Sequence, residues 1–364
     1  TQGMTRKRRK PKGRPGEERA ARRRENREVR SYESEYVGSL WHLDFHHGSL
    51  KVLTEQGRWQ RPIALGILDD HARLCCHLQW YLSETAEDLV HGFSQAIQKR
   101  GLPRALLTDN GAAMVSDEFT EGLLRLGIVH EKTLPYSPHQ NAKQERLWGT
   151  MEGRLMEMLE GVELTLDFLN EATQAWSEVE YNRTVHRELS MSPVERFSKA
   201  RDVLRASPSS QAIRDAFRLQ TTRMQRSGDG TISLDGVRFE IPARFRHFRK
   251  VVVRYARWDL GRVDLVDPQS GTVLARLYPL DRQANADGRR LPIDPGQSDD
   301  LDDGTSPANT ADNGGPDKPL PPLLKRILDE YSATGAPPAY PVSYTHLTLP
   351  TMSTTCRWGG GGGE

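Results

Sequence analysis

Three carboxylates stand out by type and setting: Asp44 in WHLDFHHG, Asp109 in LLTDNGAAM and Glu145 in KQERLWGTME. The residue pattern puts Asp44 centrally in a first strand, Asp109 at the end of a fourth, and Glu145 on the inward face of the next long helix. All three can then meet at one edge of a sheet. Buried carboxylates are costly when unpaired, and three together repel, so such a cluster needs protonation, basic partners or cations. Hard oxygen ligands with no Cys or His quartet nearby suit magnesium or manganese. Two such ions about 4 Å apart can activate an attacking oxygen and stabilise a leaving one at phosphorus. Taken singly, each carboxylate is also an ordinary turn or surface residue.

The elements that must position them are legible from periodicity. Short apolar or alternating runs at 39–48, 61–70 and 74–82 predict three successive strands, with Asp69, Asp70 and His71 turning the second into the third. A helix opened by Ser83 or Thr85 and closed by Gly101 follows, then a strand over 104–111, a helix over 117–126 and a strand over 128–133. This is a mixed α/β sheet. Over 141–159, Trp148, Met151, Leu155 and Met158 form one apolar stripe, which Glu145 continues a turn earlier, while Lys143 and Arg146 lie elsewhere on the helix. A long helix is expected from about 165 to 188. His46 and His47 read as solvated strand-end residues, Cys75 and Cys76 as packing residues, and Asp69 and Asp70 as turn residues.

The TDNG sequence, the SPHQN run with the following K.ER and T, and the 35 residues between Asp109 and Glu145 are jointly specific. On these the chain resembles the retroviral integrase superfamily over roughly residues 35–200. The likeness extends through YNRTVHRELSMSPVERF, similar to the helix end of bacterial insertion-sequence transposases. The resemblance implies a ribonuclease H-like fold and metal-dependent DNA cleavage followed by strand transfer, that is, transposition or integration. It implies two Mg2+ or Mn2+ ions, Asp44 shared by both and Asp109 and Glu145 each completing one site. Ala142 stands where the family usually has Gly, which is expected to stiffen the loop before the catalytic helix. The rivals are a nuclease of the same fold that cuts without joining, and a domesticated DNA-binding protein with a silent site. The intact triad argues against the silent one.

The remaining chain is expected to serve that core. The net charge of +2 hides a basic end: residues 6–30 hold thirteen Arg or Lys against four Glu, and residues 1–34 read as a disordered tail contacting DNA phosphates through Arg6, Lys7, Arg8 and Arg9. Lys143 and Arg146 are further candidate DNA contacts. Residues 201–230 read as a linker. Strand-like runs over 231–282 predict a small β-barrel, basic through Arg246, Arg249 and Lys250 and similar to the C-terminal barrel of phage Mu-type transposases. An acidic linker over 283–319 leads to a short helix over 320–331. Its stripe of Leu323, Leu324, Ile327 and Leu328 is expected to dock on a partner, with an ATP-dependent target-selection protein as the leading candidate, the alternative being that it packs back on the barrel or catalytic core of its own chain or of a second copy. Residues 343–364 resemble translated adapter sequence and are set aside from the fold. Duplex DNA and further copies of the chain are the other expected partners. Three cysteines without zinc or disulfide spacing, no run of membrane-spanning length and no leader pattern predict a soluble bacterial protein of the cytoplasm, associated with the nucleoid. The opening Thr1, in place of methionine, points to a missing upstream portion.

Overall fold

The computed structural model describes residues 33–133, 142–280 and 320–335. The expectations for the basic tail, the acidic linker, the foreign stretch and the loop before Ala142 lie outside the described residues. Two compact units separate at residues 216 and 217, and the segment 320–335 belongs to the first.

The first unit is built on a five-stranded sheet of order β5-β4-β1-β6-β7. Its strands are β1 (Leu40–His47), β4 (Ile63–Asp69), β5 (Cys75–Tyr81), β6 (Ala105–Thr108) and β7 (Val129–Lys132). β1, β4 and β5 form an antiparallel meander, and β6 and β7 add in parallel on the other side of β1. With helices on its faces, this is the ribonuclease H-like mixed α/β fold that the resemblance implied. A small hairpin, β2 (Val52–Leu53) with β3 (Trp59–Gln60), interrupts the meander where no strand is expected from sequence.

Helix α1 (Ala86–Arg100) starts at a reciprocal cap, Thr85 accepting from the Asp88 amide and Asp88 from the Thr85 amide. It ends at Gly101, whose φ of +92° suits glycine. Helix α2 (Asp117–Arg125) covers the parallel half. Helix α3 (Ala142–Met151) runs on through a wide π turn, Glu152–Met156, to Leu159. The helix expected over 165–188 is shorter: α4 (Leu166–Ala175) passes into a π turn over Trp176–Tyr181 and stops at Asn182. The reason lies in the edge strand. Asn182 turns its amide onto the backbone N–H and carbonyl of Cys75, and Asn170 does the same at Trp80. The edge of β5 is thereby satisfied by side chains instead of another strand.

The expected linker over 201–230 is structured. Helix α5 (Pro193–Lys199) precedes it, α6 (Ser210–Ala216) lies within it, and it ends in β8 (Leu219–Met224) of the second unit. That unit has a four-stranded antiparallel sheet, order β13-β12-β11-β8, with β11 (Lys250–Ala256), β12 (Asp259–Val266) and β13 (Val273–Leu277). A separate hairpin, β9 (Thr231–Leu234) with β10 (Val237–Glu240), turns on Asp235 and Gly236, both at positive φ. Sheet and hairpin share a core that includes Phe239, Val253, Tyr255 and Leu265, and a single bridge joins Phe239 to Pro279. The unit is therefore two sheets around one core, not the continuous closed barrel expected. The hairpin strands are too short to carry the ladder around.

Helix α7 (Pro322–Ala333) corrects the partner-docking expectation. Leu324, Ile327 and Tyr331 are buried in the core of the first unit with Leu169, Ala172 and Trp176, Leu328 packs at its margin, and Leu323 is exposed. Arg183 pairs with Glu330 across the contact at 2.9 Å. The buried stripe is Leu324, Ile327 and Tyr331, one turn longer than expected at its end, and its own chain covers it.

Candidate active site

The β1 register sets the site. β1 and β6 pair in parallel with Trp41 opposite Leu106 and His42 opposite Leu107. Continuing that register by two residues sets Asp44 and Asp109 opposite each other, on the same strand face as His42 and Leu107. On its other side Asp44 is paired with Gly66 of β4. A Cβ at Gly66 would stand 2.3 Å from the Trp148 ring and 2.8 Å from the Gln144 amide. The missing side chain is what lets α3 sit down on the sheet. Gln144 donates to the Gly66 carbonyl at 3.0 Å, and the Trp148 indole N–H donates to Asp44 Oδ2 at 3.2 Å. Asp109 caps its own turn, its Oδ1 accepting from the Gly111 amide at 2.9 Å.

The inward face of α3 differs from expectation. Gln144, Leu147, Trp148 and Met151 are buried, whereas Glu145, a turn before Trp148, is exposed. Trp148 and Met151 are buried as the stripe predicts, but the buried position a turn before Trp148 is Gln144, four residues back, and not Glu145, three back. Asp44 is half-buried and Asp109 exposed. Among the described residues, no three His, Cys, Asp or Glu side chains converge closely enough to hold a metal ion. The donor chemistry nonetheless fits hard divalent ions. Among the described residues Asp109 and Glu145 form no salt bridge, and both are exposed.

Several residues that build the site were read only as turn or surface residues. Asp70 is buried at the β4–β5 turn, where it meets His42 Nε2 at 2.6 Å, the Ser34 amide at 2.6 Å and the Lys143 ammonium. Burial opposes its charge, yet the bonds from His42 and Lys143 win and hold its carboxyl far below the usual range. Lys143, expected on DNA, thus ties the start of α3 to the turn. Burial lowers the Lys143 pKa, and Asp70 opposes that shift. Arg146, also expected on DNA, pairs with Glu188 on the surface. Asp69 accepts from the Gly38 and Ala72 amides and from the Trp41 indole, a structural role as expected. Cys75 and Cys76 are buried packing residues, also as expected.

His46 departs from the solvated reading. It stacks on Trp148 with centroids 5.0 Å apart and meets Glu152 at 2.9 Å, while Ser49 donates to the other oxygen of Glu152. His47 is exposed. In the second unit Arg246, Arg249 and Lys250 are all exposed beside Phe248, which stacks on Phe245. No helix of the described residues is long and apolar enough to cross a membrane.

Residues 35–138 match the family model described as the integrase core domain. This stretch of the chain is similar to integrase core domains. The match takes in Asp44 and Asp109 and stops short of Glu145. The chain is 36% identical over 76 residues to the Gag-Pro-Pol polyprotein of human T-cell leukemia virus 3 (strain 2026ND), covering 21% of this chain and 5% of the polyprotein. It is 33% identical over 112 residues to the retrovirus-related Pol polyprotein from transposon TNT 1-94 of Nicotiana tabacum, covering 29% and 8%. It thus spans less than a tenth of these relatives. Among solved structures it is similar to a simian T-cell lymphotropic virus intasome in complex with PP2A regulatory subunit B56 gamma. There the TM-score is 0.41 at 17% identity, with 68% of this chain and 78% of that one covered. The HTLV-2 integrase catalytic core domain in complex with magnesium (trimeric form) gives 0.35 at 22% identity, covering 44% and 96%. The family-model and polyprotein matches agree with the integrase superfamily resemblance and lend nothing to the bacterial insertion-sequence or Mu-type likenesses.

Proposed function

We propose that this chain is the catalytic part of a DNA transposase or integrase. One observation carries the reading: within a stretch similar to integrase core domains, Asp44 lies on β1 and Asp109 directly follows β6, its parallel neighbour, and the Trp148 indole joins the Glu145-bearing helix to Asp44. Asp44, Asp109 and Glu145 would hold two Mg2+ or Mn2+ ions. Bound there, the ions supply Lewis-acid activation of the attacking oxygen and charge stabilisation of the leaving one. The chain's own part is placement. The Gly66 hole, the Gln144 bond and the Lys143–Asp70 tie fix the helix, leaving Glu145 exposed where a phosphodiester can approach.

In the reaction proposed, water displaces a 3′-oxygen from phosphorus and frees a 3′-hydroxyl. That hydroxyl then attacks a target phosphodiester, one P–O bond forming as another breaks. Duplex DNA is the substrate, and several copies of the chain act on it together. The exposed patch of Arg246, Phe248, Arg249 and Lys250 supports a phosphate-contacting role for the second unit, and the Arg6–Arg9 tail is assigned the same role from its charge. An ATP-dependent partner would need a surface other than the stripe of α7, which is buried.

The test uses labelled element-end duplexes with Asp44→Asn, Asp109→Asn and Glu145→Gln. Each variant is expected to lose cutting and joining while keeping DNA binding, and the wild-type activity is expected to vanish with chelator and return with magnesium. Joining is read as product strands longer than the substrate. Cutting without such strands would leave a nuclease, and binding alone a silent DNA-binding protein.

A further inference from the structure

A cavity lies against a face of α3 other than the one that packs on the sheet. Lys143, Leu147, Thr150 and Arg154 fall on one face of the helix, offset from the Gln144, Trp148 and Met151 face that packs on the sheet. With the β4–β5 turn, the π turn ending at Tyr181 and the segment 184–187, this face encloses a cavity of about 270 Å³. No carboxylate lines it. Its charged lining is Arg73, Lys143, Arg146, Arg154 and Arg187, with His186 beside them. The carboxylates that pair with four of these, Glu33, Asp70, Glu188 and Glu180, are not in the lining.

Three lining residues carry a buried nitrogen with no hydrogen-bond partner among the described residues: Arg73 Nη1, Trp176 Nε1 and His186 Nδ1. Arginine and indole nitrogens can only donate, so what is missing is an acceptor. Arg73 is 7% exposed and adopts a φ of +57°, a left-handed backbone that favours Gly or Asn. An arginine there is best explained by its side chain. Burial holds the His186 imidazolium back, and Arg73, Arg146 and Arg196 add to that against the pull of Glu188. The local potential is positive.

We propose that this cavity binds a phosphate-type oxyanion. Cationic donors reach it from a turn, a helix and a loop, a spread of directions that suits a tetrahedral group with several acceptor oxygens better than a planar carboxylate. The same chemistry is offered by a free phosphate compound and by a phosphate of a DNA strand. The site does not depend on strand-transfer activity.

The test titrates inorganic pyrophosphate into the full chain in chelator, by calorimetry and by phosphorus NMR, against chloride at matched ionic strength. Saturable binding is expected. Arg187→Gln, an exposed change, and Arg73→Gly, which suits the left-handed backbone, should each weaken it about tenfold, as loss of a charged hydrogen bond does. Asp44→Asn should leave it unchanged. Thermal melts check that both variants fold. Displacement of bound pyrophosphate by a short duplex assigns the phosphate to DNA, and retention assigns it to a free oxyanion. Binding that merely follows ionic strength, or that survives in both arginine variants, overturns the proposal.

Discussion

At the scale of single residues, the site depends on a side chain that is not there. Gly66 pairs with Asp44 and leaves the hole that receives Trp148. Gly66→Ala places a methyl against an aromatic carbon and an amide that cannot both give way, so it is expected to destabilise the first unit by about 1–3 kcal/mol. Urea melts measure that loss, and activity should fall further than stability because Trp148 lifts from Asp44. A second residue-scale prediction separates two glutamates about two turns apart along the same helix. Glu152 already meets His46 and Ser49, whereas Glu145 is exposed and unpaired by any salt bridge among the described residues. Glu152→Gln is expected to slow cutting and joining without abolishing them, and Glu145→Gln to abolish both. The reverse order in the strand-transfer assay would move the third ligand to Glu152.

At the scale of elements, strands and capped helices were legible because their signals are local. The alternation in LWHLDFHH, the Thr85–Asp88 cap and the Gly101 stop each act within a few residues. What was not legible depends on long-range partners. Nothing local distinguishes Gln144 from Glu145 as the buried position a turn before Trp148, since both lie within helical reach of it. The end of the helix at Asn182 answers the unpaired edge of β5, more than a hundred residues earlier in the chain. Asp70 looked like a turn residue because its partners, His42 and Lys143, are distant in sequence. Helix α7 shows the same limit, since a short amphipathic stripe declares that it needs a surface but not whose. Leu324→Ala should cost at most about 2–5 kcal/mol, and less if the helix detaches from Leu169 and Trp176 before the sheet unfolds. Lower melting temperature with faster amide exchange in Ala172 and Trp176 is the expected result. An unchanged melt would return the helix to an external partner.

At the scale of the whole molecule, buried histidines set how stability responds to acid. Burial lowers His77 to about 3, with Lys99 and His91 adding to the shift; burial alone lowers His91 to about 4; burial and Lys132 lower His130 to about 4. The ordinary value is 6.5. Below that value the unfolded chain takes up protons that the folded chain refuses, so stability falls as pH drops from about 6.5 towards about 4. Glu178 acts lower down. Burial opposes its charge, but Lys99 and Arg100 prevail and hold it at about 2. Its contribution is intact above the ordinary carboxylate range and is lost as pH falls from about 4.5 through about 2. Asp69 has the opposite sign, since burial raises its pKa and its protonated form favours the fold, which blunts the acid limb. The melting temperature is therefore expected to decline in two stages, the first beginning near neutrality before any carboxylate titrates. His91→Gln should flatten that first stage. It removes a titrating ring yet leaves an amide that can meet Tyr81 and Gln95, the present partners of the imidazole. A melt series from about pH 7.5 to pH 3.5 on wild type and variant measures both slopes. Equal slopes above pH 4.5 would show that His91 takes up its proton without unfolding.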